Sequence, residues 1–235
     1  MKKGFQMGKN SRIPSPRGRA RVGVCKKPAF TLAEVLITLG VIGVVAAMTM
    51  PTIIKNYQKQ ATVNKLKETY STLSQAFQRA VVEHGEPINW TYGDENYFVE
   101  NYLAPYIKIV NKSTDAPKHY YLSGSEIRAE FYKNHTHYYL ANGVEITVRP
   151  YSTTYYMIMA DLNGKKGPNM FGKDLFKFQF SKDSKTTSLS KTFILNGFYN
   201  SLSNIKSNCN KNSDGDYCGA WIMIEGWKIP DDYPW

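Results

Sequence analysis

Residues Phe30 to Ile54 read FTLAEVLITLGVIGVVAAMTMPTII, and the rest of the chain is organised around this stretch. From Val35 onward it is almost entirely apolar. As a helix rising ~1.5 Å per residue, it is long enough to cross a ~30 Å hydrocarbon core. One residue interrupts the pattern, because Glu34 stands at the head of the apolar run. An ionised carboxylate there costs free energy unless it is paired or kept at the membrane interface, so Glu34 is a candidate functional residue.

The basic residues of the chain are concentrated ahead of this stretch. Residues 1–29 hold nine of the 30 Lys and Arg residues and none of the 19 Asp and Glu residues. The remaining chain has 21 basic residues against 19 acidic ones, so the net charge of +11 belongs almost wholly to the first segment. A basic segment before an apolar helix is held in the cytoplasm by the positive-inside rule. This distribution argues against a general nucleic-acid-binding protein, for which a basic surface would be needed.

The junction of the two segments resembles the processing site of type IV prepilins and type II secretion pseudopilins. The residues that carry the resemblance are Lys26-Lys27-Pro28-Ala29-Phe30-Thr31-Leu32-Ala33-Glu34-Val35-Leu36. In that family a membrane peptidase removes a basic leader just before a Phe, the new N-terminus is methylated, and a Glu four residues further on is needed for assembly. The resemblance implies cleavage between Ala29 and Phe30, methylation of Phe30 and an assembly role for Glu34. The family usually has Gly before the cut, where this chain has Ala29.

The resemblance also implies a function, a set of partners and a location. It identifies the chain as a structural subunit, a pilin or pseudopilin, of a type IV pilus or a type II secretion pseudopilus, and not as an enzyme. Its partners would be the prepilin peptidase/methyltransferase, other pilin or pseudopilin subunits, an inner-membrane assembly platform and, before assembly, the lipid bilayer. It would cross the inner (cytoplasmic) membrane once, with the C-terminal domain outside the cytoplasm. An alternative is a minor pilin that acts as a binding module for DNA uptake or adhesion.

Two other interpretations of the apolar stretch remain open. In an ordinary secretory signal peptide, the apolar core would run over 35–45 and the cut would follow Ala47, since the preceding residues satisfy the small-residue rule. A secreted protein would result. A plain membrane anchor would not be cut at all. Glu34 at the edge of the apolar core and a helical pattern that continues beyond Pro51 both argue against the signal peptide.

The helical pattern predicts one long helix from Phe30 to His84. Pro51 would kink it, because proline removes a backbone hydrogen bond and crowds the preceding turn. After Pro51 the helix becomes amphipathic, and Gly85 followed by Pro87 ends it. The apolar stripe recurs at steps of three and four residues and consists of Leu66, Tyr70, Leu73, Phe77 and Ala80 or Val81.

The remainder of the chain is predicted to be a globular β-rich head domain. Two strand-like runs flank Asn142-Gly143, which is a strong hairpin signal. Alternating Phe residues at 176, 178 and 180 predict a strand with one buried face. A short helix around Tyr97–Leu103 and further strands are expected, the strands at Thr154–Ala160, Thr192–Leu195 and Trp221–Glu225.

The predicted fold class is therefore α+β. A long N-terminal helix packs on a C-terminal antiparallel sheet, in a pilin-like arrangement. The predicted segments are a leader at 1–29, a hydrophobic transmembrane and assembly helix at 30–54, its amphipathic continuation at 55–85 and the head domain at 86–235.

Three cysteines occur, and cleavage of the leader would remove Cys25. Cys209 and Cys218 would remain as an even pair in a polar loop. In a chain exported by its own apolar segment, such a pair predicts a disulfide, with two free thiols as the alternative. Pilins often close a C-terminal loop in this way.

Two loops contain oxygen-bearing side chains that are candidate Ca²⁺ ligands. In the first, Asp161, Asn163, Asn169 and Asp174 surround several glycines, but two lysines lie among them and an Asx-bonded turn is the alternative. The second, at 210–216, resembles the opening of an EF-hand loop. The bidentate Glu expected later in that motif is missing, which favours a disulfide-bounded turn.

No catalytic motif accompanies these loops. His135 and His137 would face the same side of a strand, but a metal site lacks further ligands at suitable spacing. The sequence has no nucleophile elbow, phosphate loop, zinc helix or paired-carboxylate motif. The 17 tyrosines and four tryptophans are expected mainly in the core and in subunit contacts. Nucleic acid is not an expected ligand, because aromatic base-binding sites normally include a basic groove.

Overall fold

The computed structural model describes residues 31–151, 155–182, 193–198 and 200–235. The chain divides into two compact units, Met1–Thr49 and Met50–Trp235. The predicted leader, with the cleavage residues Ala29 and Phe30, lies outside the described residues.

Helix α1 spans Leu32–His84 and contains Pro51. In the first unit its residues are exposed, apart from a half-buried Ala46, although most of them are apolar. By length and composition this helix can cross a membrane, which makes it a candidate membrane span in the described part of the chain. The Thr49 hydroxyl donates a hydrogen bond of 2.9 Å to the Val45 carbonyl oxygen. That bond is additional to the backbone ladder, because the carbonyl that Pro51 leaves without an N–H donor is that of Ala47.

The C-terminal half of α1 has the predicted apolar stripe. Leu66, Leu73, Phe77 and Ala80 are buried. The helix ends where expected, since Gly85 follows it with a φ of +74°, in the left-handed region that a helix C-cap needs. The other helices of the described residues are α2 at Glu95–Tyr102, α3 at Leu202–Ser207, α4 at Cys218–Ile224 and short 3₁₀ turns at Pro87–Asn89 and Ala129–Phe131.

The predicted short helix corresponds to α2. Asp94 caps its N-terminus, and one carboxylate oxygen accepts hydrogen bonds from the amides of Asn96 at 2.8 Å and Tyr97 at 3.1 Å. An acidic side chain is favoured at this position because it satisfies free N–H groups and opposes the positive end of the helix dipole.

The strands of the described residues form one six-stranded sheet in which neighbours follow each other in chain order and pair antiparallel. The α+β class is therefore confirmed, with a long N-terminal helix followed by an antiparallel sheet. The strands are β1 at Ile109–Ser113, β2 at His137–Leu140, β3 at Glu145–Pro150, β4 at Tyr155–Asp161, β5 at Leu175–Ser181 and β6 at Phe193–Leu195.

The predicted hairpin is formed by β2 and β3. Gly143 takes a φ of +84° and donates its amide to the Leu140 carbonyl oxygen at 2.9 Å, which closes the turn. The hairpin tip is bound to α1 through both the backbone and the side chain of Asn142. The Asn142 carbonyl oxygen accepts from Lys65 Nζ at 2.8 Å, and the Asn142 side-chain amide donates to Glu68 at 2.8 Å.

The main core lies between the sheet and the C-terminal half of α1. Alternate residues of β3, β4 and β5 point into it, including Phe176, Phe178 and Phe180 as predicted. The Phe77 ring of α1 stacks on Phe180, with centroids 4.2 Å apart. A smaller apolar cluster lies on the other face of the sheet, around Met159.

The prediction of a strand at Trp221–Glu225 is wrong, because this segment belongs to α4. Buried residues recur at helical spacing from Cys218 to Trp221 and Ile222. A side chain at Gly219 would lie 2.7 Å from the Leu195 side chain, so the helix approaches the sheet through a residue without a Cβ. The predicted strands at Thr154–Ala160 and Thr192–Leu195 correspond to β4 and β6, and only their first residues, 154 and 192, lie outside the described part of the chain.

Candidate functional site

Glu34 forms a reciprocal cap with Thr31 at the start of α1. The backbone amide and the hydroxyl of Thr31 each donate to Glu34 Oε2 at 2.8 Å, and the Thr31 hydroxyl oxygen accepts from the Glu34 amide at 3.2 Å. This is the capping-box pattern, with Thr31 at the N-cap and Glu34 three residues later. The carboxylate therefore has local partners before any other subunit is considered.

The four predicted calcium ligands do come together. Asp174 Oδ2 accepts from the Asn163 side-chain amide at 3.1 Å and from the Asn169 amide at 3.0 Å, while Oδ1 accepts from the Met170 amide at 2.7 Å. Asp161 Oδ1 accepts from the Asn163 amide at 3.0 Å. The loop is thus built from carboxylates that accept hydrogen bonds from backbone and side-chain amides.

These contacts fit calcium poorly. The buried side-chain oxygens of this set that lack a hydrogen-bond partner are Asp161 Oδ2 and Asn169 Oδ1, whereas Ca²⁺ takes six to eight oxygen ligands. Nor do the described residues contain a group of three or more His, Cys, Asp or Glu side chains placed to hold a metal ion. Calcium binding stays a prediction, and the hydrogen bonds favour the turn stabilised by Asx contacts.

The loop at 210–216 is also organised by its own hydrogen bonds. Asn210 Oδ1 accepts from the Asn212 amide at 2.9 Å, and Asp216 pairs with Lys177 of β5. The predicted disulfide between Cys209 and Cys218 is present, and both cysteines are buried. These contacts favour a disulfide-bounded turn over an EF-hand.

His135 and His137, which were predicted to face the same side of one strand, do not share a site. His135 precedes β2, and its Nδ1 lies 2.6 Å from the Glu95 carboxylate. His137 is buried, with Nδ1 2.5 Å from Glu145 and Nε2 2.8 Å from the Tyr132 carbonyl oxygen. Nδ1 also lies 2.8 Å from the Thr147 hydroxyl oxygen, so both ring nitrogens of this buried histidine have hydrogen-bond partners.

A buried polar cluster on the face of the sheet opposite the main core joins His137 and Glu145 to the predicted calcium loop. Glu145 and Asp161 are direct neighbours across β3 and β4, and His119 Nε2 lies 3.9 Å from Asp161 Oδ2. Burial lowers the pKa of His119 to about 4. Burial, with the nearby Asp174 carboxylate adding to it, raises the pKa of Asp161 to about 8. Both groups are thus favoured in their uncharged forms near neutral pH.

Comparison with known proteins places the sheet-bearing part of the chain in a family. Residues 52–235 match the model of DUF6613, a family of unknown function. The chain belongs to this family. No curated protein and no solved structure matches the chain.

The DUF6613 match begins after Pro51, so it contains the sheet, the disulfide and the buried polar cluster but not the apolar start of α1. Sequence reasoning missed Thr31, although Thr-x-x-Glu is a readable capping signal. It also missed His119 and the pairing of Glu145 with His137. His119 comes from an irregular segment, and no local pattern relates it to β3 and β4.

Proposed function

We propose that the protein is a structural subunit, a pilin or pseudopilin, of a type IV pilus or a type II secretion pseudopilus. The observation that carries the proposal is the composition of α1. An exposed apolar half with a carboxylate at its head continues, within the same helix, into a half whose apolar stripe is buried. The first half suits a bilayer or the interior of a fibre, and the second anchors the sheet domain.

In this proposal Glu34 sets the register of assembly. A carboxylate in an apolar environment is stable when a cation neutralises it, and the amine of Phe30 on a neighbouring subunit would supply that cation after cleavage. The contacts with Thr31 leave the charge of Glu34 uncompensated, since both donors are neutral. The carboxylate would therefore be positioned by its own helix and neutralised by the next subunit.

The proposal includes partners and a location. Prepilin peptidase/methyltransferase would process the chain at Ala29–Phe30. An inner-membrane platform would then transfer the subunit from the bilayer to a polymer of pilin or pseudopilin subunits. Before that step the apolar half of α1 would cross the inner membrane once, with residues 86–235 outside the cytoplasm.

The N-terminal mass of the protein extracted from its native membrane tests this proposal. A peptide that begins at N-methylated Phe30 is expected. A start at Met48 would indicate a secretory signal peptide, and an unprocessed N-terminus would indicate a plain anchor, so either result would refute the assignment.

Substitutions at the cleavage site provide a matched control. Ala29→Gly introduces the residue that prepilins usually have before the cut, and this variant is expected to preserve cleavage before Phe30. Ala29→Leu places a bulky side chain at the same position and is expected to block it. A signal peptide cut after Ala47 would be affected by neither change.

A further inference from the structure

A cavity of about 330 Å³ opens on the face of the sheet opposite the main core. Its floor is formed by side chains of three neighbouring strands. Arg149 of β3 lies opposite Met157 of β4, and Met159 of β4 lies opposite Lys177 of β5. Because residues two apart on a strand share a face, these four side chains line one surface. The volume is at the small end of the ~300–1,000 Å³ range of ligand pockets.

Aromatic rings form much of the wall. Tyr151 and Tyr155 stack with centroids 4.8 Å apart, and Tyr121 and Phe171 stack with centroids 6.2 Å apart. Tyr151 is 57% exposed, so its ring is accessible from solvent. Rings of this kind offer a rigid apolar surface and, in tyrosine, a hydroxyl at the edge.

The charged groups of the cavity balance. Arg149 lies over the Phe131 ring, with its guanidinium carbon 4.4 Å from the centroid, and Lys177 is paired with Asp216. Asp214 adds a second carboxylate to the lining. Two positive and two negative side chains leave no net charge. A polyanion such as DNA would gain no long-range attraction here.

The balance of polar and apolar groups also argues against a purely apolar ligand. Such a ligand would remove charged groups from water without replacing their hydrogen bonds, which is costly. A ligand that fits must offer apolar faces to the tyrosines. It must also offer several groups that both donate and accept hydrogen bonds, to match carboxylates, a guanidinium and the Asn196 side chain.

We propose that this cavity binds a neutral carbohydrate, with a sugar ring against Tyr151 and Tyr155 and its hydroxyl groups bonded to Arg149, Asp214 and Asn196. A sugar ring meets both requirements, because its C–H groups form apolar faces and its hydroxyls are donors and acceptors at the rim. This inference does not rest on the proposed pilin function, since the cavity lies within residues 50–235 and contains no part of the cleavage or assembly site.

A neutral-glycan array followed by saturation-transfer NMR tests the inference on the full-length protein. The protein is held in a detergent without a sugar headgroup, and the NMR probes are cello-, malto-, xylo- and chito-oligosaccharides together with any glycan that the array selects. Saturable binding to at least one neutral glycan is expected, with little change between low and high salt. Tyr151→Ala and Asp214→Asn are each expected to weaken that binding by about tenfold, since each removes one kind of contact.

The controls are an exposed tyrosine and an exposed aspartate outside the cavity. Tyr97→Ala and Asp115→Asn are expected to leave glycan affinity unchanged. If the protein binds none of the neutral glycans, the inference is overturned. Equal glycan affinity in the cavity variants and their controls would also overturn it. Preferential, strongly salt-dependent binding of heparin or DNA, or preferential binding of an uncharged peptide, would overturn it as well. An N-terminus at Met48 would refute the pilin proposal and leave the glycan result unaffected.

Discussion

Thr31 and Glu34 cap the start of α1 by reciprocal hydrogen bonds, two of them 2.8 Å long and both accepted by one carboxylate oxygen of Glu34. This relationship separates two roles of the glutamate that sequence alone cannot distinguish. As a cap, Glu34 needs only an acceptor oxygen. As a partner for an N-terminal amine on another subunit, it needs a negative charge.

Three substitutions at this cap predict different assembly phenotypes. Glu34→Gln keeps an acceptor for Thr31 but loses the charge, and Glu34→Ala loses both, so both variants are expected to be inserted and cleaved but excluded from fibres. Thr31→Ala weakens the cap by about 1 kcal/mol and keeps the charge, so it is expected to assemble. Immunoblots of the membrane and of sheared surface fibres measure the two fractions. Normal assembly of Glu34→Gln would contradict a charge-dependent role.

The packing of α1 on the sheet predicts a large effect of shortening Phe77. This ring is fully buried and contacts Phe98, Phe180 and Phe193. Phe77→Ala is expected to lower the free energy of unfolding by about 3–5 kcal/mol, because it removes a buried ring and leaves a cavity. Urea unfolding of the detergent-solubilised protein, followed by near-ultraviolet circular dichroism, measures this value.

The matched control is Val82→Ala on the same helix. Val82 is 88% exposed, so its truncation is expected to change stability by less than ~0.5 kcal/mol. Equal losses in the two variants would mean that the stripe of α1 is not the main contact with the sheet.

The fold was predictable where short-range patterns determine it. The three- and four-residue spacing of Leu66, Leu73 and Phe77 located the buried side of α1, and Asn142-Gly143 located the hairpin. The segment around Trp221 was misread because a short apolar run fits a strand and a buried helix equally well. Its helical state depends on packing against Leu195 and on the disulfide at Cys218, which are tertiary contacts.

The candidate sites were predictable only in part, for the same reason. Asp161 and Asp174 could be assigned to one loop from their spacing, but His119 reaches Asp161 from a different segment of the chain. The cavity at Arg149, Met157 and Lys177 exists because β3, β4 and β5 are neighbours. Residues of this kind are brought together by sheet order, and sheet order does not follow from composition or periodicity.

The disulfide predicts a measurable loss of stability on its removal. The double variant Cys209→Ser/Cys218→Ser is expected to be less stable by about 2–3 kcal/mol, because a crosslink across a loop of this length restricts the unfolded chain. When the proteins are compared before leader cleavage, Cys25→Ser is the control for loss of a thiol outside the loop and is expected to match the parent. Dithiothreitol should lower the stability of the parent to that of the double variant. A parent that is insensitive to reduction would contradict the contribution of the crosslink.

The buried carboxyl of Asp161 predicts that stability declines as the pH rises from ~4 to about 8. Its pKa is raised to about 8 in the folded protein, mainly by burial, against a value near ~3.9 when unfolded. Between these values the folded state retains a proton that the unfolded state has lost, so stability falls as pH rises, by up to ~1.4 kcal/mol per pH unit. His119 acts in the opposite direction, but below its unfolded pKa of ~6.5, because its folded pKa is lowered to about 4.

The difference in slope between Asp161→Asn and the parent from pH 6.5 to 8 therefore isolates the carboxyl effect, because the His119 contribution is common to both proteins. Asp161→Asn is expected to flatten the decline over this interval whatever its stability at pH 6.5, because the amide does not titrate. Asp115→Asn, a change at an exposed carboxylate, is expected to keep the slope of the parent. The comparison is made in EGTA, so that bound calcium does not contribute. An unchanged slope in Asp161→Asn would assign the proton uptake to another group.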